Sequence, residues 1–99
     1  MQVFRIYTEG GAMHEKRITS LVTEVTVGFT LIPCRGYWKG LAEESIIIEI
    51  ISPPCDNDSA LSQQDISALA ERIRIANNQE AVLWTVGAVD AGLEPGECS

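Results

Sequence analysis

At 99 residues, with 45% apolar and 21% charged side chains, the chain is long enough for one folded domain and too short for a second core. Fourteen acidic against seven basic residues give a net charge of -7, which argues against nucleic acid held on a broad basic face. No apolar run approaches the roughly 18 residues of a membrane span, and Cys34, Cys55 and Cys98, without CxxC spacing or a preceding secretory signal, read as thiols of a reducing cytoplasm. The single histidine, His14, leaves no histidine-based metal site, so neither metal nor cofactor is expected.

Residues 2 to 8 alternate, with Phe4 and Ile6 on one face and Val3, Arg5 and Tyr7 on the other, and read as a first strand. Gly10-Gly11 breaks that pattern. Ile18, Leu21, Val22 and Val25 then recur at helical spacing, which predicts a helix over 12 to 24 with His14 facing solvent. Residues 26 to 33 predict a second strand with Phe29 and Leu31 on the core face and Pro33 as its close.

Five isoleucines between Ser45 and Ser52 surround the single Glu49, too apolar on both faces for an edge strand, so this third strand belongs at the sheet centre or at a subunit contact. Pro53 to Ser59 is a turn-rich connector. Ser62 with Asp65 forms a capping-box start, and Ile66, Leu69, Ala70 and Ile73 make one stripe of a second helix over 62 to 76, closed by Asn77-Asn78. Residues 81 to 86 give the last strand.

The order is β-α-β-β-α-β, an α+β ferredoxin-like domain over 1–88, with two helices on one face of a four-stranded antiparallel sheet and a tail over 89–99. The face away from the helices carries Val3, Tyr7, Ile32, part of the isoleucine run, and Val82 or Trp84. That is too apolar for a solvated face, and a homo-oligomer would cover it.

The candidate site is the connection between the second and third strands. Tyr37 and Trp38 stand between Gly36 and Gly40 and beside Arg35 and Lys39, an aromatic and basic cluster in an acidic chain. Two readings stay open: the rings stack on a planar ligand while Arg35 and Lys39 pair with its anionic group, or Trp38 plugs a neighbouring subunit. Glu49 is added as a ligand-binding candidate because a carboxylate among isoleucines needs a partner, Arg5 being the alternative. Asn77, Asn78 and Gln79 suit either helix capping or ligand contact.

In the segment Gly36-Tyr37-Trp38-Lys39-Gly40, in Glu44 and in the apolar strand Ile46 to Ile50, the chain resembles the PII-like superfamily with its CutA-type members. It is also similar to small phage-encoded proteins with a Gly-Tyr-Trp-x-Gly segment and a helix ending in Asn-Asn-Gln-Glu-Ala-Val. The resemblance implies trimeric subunits that hold nucleotides, cyclic dinucleotides or small anions in clefts between them. The resulting expectation is a non-enzymatic oligomeric binder of a small anionic or nucleotide-like molecule, in a phage an anti-defence protein that sequesters a host signalling nucleotide. The alternative is an acidic interaction module or inhibitor acting on a host protein complex.

Overall fold

The computed structural model describes residues 2–52 and 61–88. The expected connector from Pro53 and the tail over 89–99 lie outside the described residues. Six elements run in chain order: β1 (Gln2–Glu9), α1 (Ala12–Thr23), β2 (Thr30–Trp38), β3 (Leu41–Ser52), α2 (Gln63–Ala76) and β4 (Leu83–Ala88). The strands form one antiparallel sheet in the order β2-β3-β1-β4, so the isoleucine-rich β3 is central, as its composition demands.

Register sorts the sheet into two faces. Phe4 pairs with Ile50 and Val86, and Ile6 with Ile48 and Trp84; all of these turn toward the helices. Ile18 and Val22 of α1 and Ile66, Leu69 and Ile73 of α2 close the same core. Each such side chain contributes about 1.5–3 kcal/mol by leaving water. Val82 and Trp84 also pack against this core, which corrects their assignment to the opposite face.

The bounds of β2, β3 and β4 differ from expectation. β2 starts at Thr30 and runs through Pro33 to Trp38 instead of closing at Pro33. A proline is tolerated there because β2 is an edge strand and its missing N–H breaks no inner ladder. β3 correspondingly begins at Leu41, and β4 is shifted two residues along the chain. The connection at 39–40 is therefore a two-residue turn. Lys39 (φ 52°) and Gly40 (φ 79°) both have left-handed backbone, as a type I′ hairpin turn requires.

α2 has the expected start. Ser62 accepts from the Asp65 backbone N–H, while the Asp65 carboxylate accepts from the Ser62 N–H at 2.9 Å. Its end is closed by Asn77, whose N–H donates to Ile73 at 2.9 Å, and by Asn78 at φ 54°. These turns send the chain back toward the hairpin.

Candidate functional site

The face away from the helices carries Val3, Arg5, Tyr7 and Glu9 of β1, Ser45, Ile47, Glu49 and Ile51 of β3, and Ile32, Cys34, Gly36 and Trp38 of β2. At the end of this face nearest the hairpin lies an open groove of about 970 Å³. Tyr7 and Ile47 contribute to its floor; the hairpin arm Cys34 to Trp38 forms one wall and the α2–β4 connection, Asn78 to Leu83, the other.

β2 and β4 are opposite edges of the sheet, yet their neighbourhoods meet. The Trp38 indole N–H donates to Glu80 at 3.2 Å, and Lys39 Nζ lies 3.6 Å from the same carboxylate. The hairpin end therefore arches across the sheet end onto the α2–β4 connection. Lys39 also stands 6.0 Å over the Trp38 ring. The contacts are exposed, so the tip is held lightly. Tyr37 and Trp38 remain 68% and 50% accessible, which leaves aromatic surface for a ligand or a second chain.

Arg35, Gly36, Tyr37 and Trp38 all line the hairpin wall, Gly36 and Trp38 on the open face and Arg35 and Tyr37, by strand alternation, on the other, while Lys39 and Gly40 form the turn beyond it. Among the described residues, no hydrogen bond or ion pair engages the exposed Arg35 guanidinium, which is available to an anion. Glu49 lies elsewhere on the face, where its carboxylate accepts from Arg5 Nε at 2.9 Å. Gly36 carries a second constraint, since a Cβ there would stand 2.5 Å from Ser45 Oγ.

Four groove residues escaped the sequence reading as a group: Tyr7, Glu9, Glu43 and Glu80. Alternation along β1 and β3 would have placed Tyr7, Glu9 and Glu43 on the same face as Trp38. Glu80 had no sequence signal, because only the tertiary return of α2 brings it to the hairpin. His14, expected at the solvent, instead sits beside this end: Nδ1–H donates to the Gly10 carbonyl at 2.6 Å and Nε2 lies 3.5 Å from Glu9. Among the described residues, no three His, Cys, Asp or Glu side chains are grouped as a metal site, and no helix is long and apolar enough to cross a membrane.

No protein-family model and no curated relative matches the chain. Solved structures do. A phage SAM lyase in its apo state superposes with a TM-score of 0.62 at 17% identity, over 87% of this chain and 78% of the lyase. CPII, a nitrogen regulatory PII-like protein of Thiomonas intermedia bound to ADP, AMP and bicarbonate, gives 0.60 at 18% identity, over 93% of this chain and 92% of CPII. The PII-like protein CutA of Nostoc sp. gives 0.60 at 23% identity, over 96% and 88% of the two chains.

The lyase overturns one expectation. The same fold serves an enzyme, so its likeness to binding proteins does not support the earlier assignment of this chain as non-enzymatic. What the chain shares with all three is the ferredoxin-like fold of the PII-like and CutA-type proteins.

Proposed function

We propose that the chain is a cytoplasmic, oligomeric protein that binds a small anionic or nucleotide-like molecule in the groove between the β2–β3 hairpin and the α2–β4 connection. One observation carries this reading: two accessible aromatic rings, Tyr37 and Trp38, and the cation Arg35 all stand on the strand that forms one wall of the groove. A planar base stacks on such rings, and a phosphate or carboxylate pairs with the guanidinium. The floor from Tyr7 and Ile47 excludes water from one side. Relatives in fold support the ligand class, one being bound to ADP and AMP and another being a SAM lyase.

Oligomerisation is supported by the open sheet face, where Ile32, Ile51 and Leu83 are exposed beside Tyr7 and Ile47. Covering that face removes apolar surface from water. The narrower role, a phage protein that withdraws a host signalling nucleotide, is supported by the phage origin of one fold relative. Calorimetric titration with AMP, ADP and SAM tests the ligand class, with chromatography of each mixture to detect turnover. Saturable binding lost in Arg35→Ala is the expected result; no heat with any of the three overturns it.

A further inference from the structure

We infer that Gln79 is a specificity-determining residue of the groove: a hydrogen-bond chain that starts at Arg17 orients its side-chain amide so that the NH₂ group donates to an acceptor on the ligand. The acceptor would be a ring nitrogen, a carbonyl or a phosphate oxygen. This inference rests on the groove being the ligand site.

The orientation follows from donor and acceptor bookkeeping. Arg17 Nη1 donates to the Ala76 carbonyl at 2.8 Å and to Asn77 Oδ1 at 3.2 Å. A guanidinium cannot accept, so Asn77 must turn its oxygen to Arg17 and its NH₂ the other way. That NH₂ reaches Thr8 Oγ1 at 3.3 Å and Gln79 Oε1 at 3.4 Å. The Thr8 hydroxyl, already accepting from Asn77, gives its one proton to Gln79.

The Gln79 atom at this junction therefore faces the Thr8 O–H, the Asn77 N–H and the Glu9 backbone N–H, the last at 3.5 Å. Only the amide oxygen satisfies all of them. A flipped amide would set its NH₂ against two other N–H donors, next to Thr8 and Asn77, which are only 4% and 7% accessible. The network thus fixes which end of Gln79 points inward, an assignment that atom positions alone leave ambiguous.

The other end is free. Gln79 is half-buried and lines the groove, and Nε2 has no acceptor among the described residues. No buried side-chain nitrogen there lacks a partner, so Nε2 is not sealed from solvent. The residue is also pinned through its backbone: its N–H donates to the Arg74 carbonyl at 3.0 Å, and its carbonyl accepts from Arg74 Nη1 at 3.3 Å. A donor held this way needs little reordering when a ligand arrives.

The test titrates AMP, ADP and SAM into the native protein and into Gln79→Met, Thr8→Val and Arg17→Met, with each variant's Tm measured alongside. For any probe the native protein binds, Gln79→Met should weaken affinity about tenfold, the scale of one lost hydrogen bond to a polar or charged group. Thr8→Val and Arg17→Met, which release the amide without removing it, should weaken affinity less. In the native protein, the Gln79 side-chain ¹⁵N–¹H pair, identified by its loss in Gln79→Met, should shift on titration. Binding by the native protein with Gln79→Met within twofold, or Gln79 signals that stay still, overturns the inference and leaves the groove as ligand site. Absence of binding to all three probes overturns both. If Gln79→Met does not fold, the native Gln79 signals, assigned through the backbone, decide.

Discussion

Arg5 and Glu49 are register partners across β1 and β3, and their side chains join at 2.9 Å in the middle of a sheet face flanked by Val3 and Ile51 on one side and Tyr7 and Ile47 on the other. The pair is partly accessible, with 44% and 22% of the two side chains open to solvent, and in a monomer its net contribution is about 1 kcal/mol or less. An assembly that covers this face makes any unpaired charge there costly. Glu49→Lys sets two cations opposite each other and should shift sedimentation toward the monomer. Arg5→Leu combined with Glu49→Leu, which leaves no charge to desolvate, should keep or strengthen assembly. Equal sedimentation of all three proteins would show that the face is not an interface.

The hairpin turn carries a cost at Lys39. An ordinary side chain in left-handed backbone loses about 1–2 kcal/mol relative to a right-handed one, and Lys39 has φ 52°. Its ion pair with Glu80 is 70% and 69% exposed and offsets little of that. Lys39→Asn, giving the Asn-Gly pair favoured in such turns, should stabilise the fold by roughly 0.5 kcal/mol. Urea denaturation should show a higher midpoint with an unchanged slope.

These two regions mark what was legible in the sequence. Alternation in β1, the Ser62 and Asp65 pair and the isoleucine run each encode their own local structure, and all three stand where their patterns place them. Pro33 misled because its tolerance depends on β2 being an edge strand, a property of the whole sheet. Trp84 misled for a related reason: its face depends on the register between β4 and β1. Half of the groove was visible as Arg35 to Trp38. Asn78 and Gln79 read only as capping or ligand-contact candidates, and they and the stretch to Leu83 join the hairpin only because α2 returns the chain beside it.

Gly10 marks a close approach between β1 and β3. A Cβ at this position would stand 3.0 Å from the carbonyl carbon and oxygen of Ser45, and backbone cannot rotate aside as a side chain can. Gly10→Ala should therefore cost about 1–3 kcal/mol. Gly28 is the control, with nothing within 4 Å of the added Cβ and no left-handed φ. Gly28→Ala should be neutral or stabilise by about 0.4–1 kcal/mol through the unfolded chain. Thermal unfolding of the two variants side by side checks both.

Ser62→Ala removes the acceptor for the Asp65 backbone N–H, a contact of 3.2 Å, and leaves the Asp65 carboxylate without its hydroxyl partner. Loss of such a cap costs about 1 kcal/mol. α2 supplies Ile66, Leu69 and Ile73 to the core, so the loss should appear as a lower Tm of the whole cooperative transition, with no separate early phase. Ser62→Asp, which keeps an acceptor at the cap, should restore most of it.

Trp38 serves two contacts that a substitution series can separate. Its ring lines the groove and is 50% accessible, while its N–H holds the hairpin tip to Glu80. Stacking of a base on an aromatic ring is worth about 1–3 kcal/mol, so Trp38→Ala should weaken a nucleotide-like ligand by roughly 5-fold to 150-fold. Trp38→Phe keeps a ring and loses the N–H, and Glu80→Gln keeps the whole indole and removes the charge that holds Lys39. If stacking dominates, Trp38→Phe retains most of the affinity and Glu80→Gln is near native. If closure of the tip dominates, both fall together. If Trp38 serves only assembly, Trp38→Ala changes sedimentation and leaves the affinity per chain within twofold.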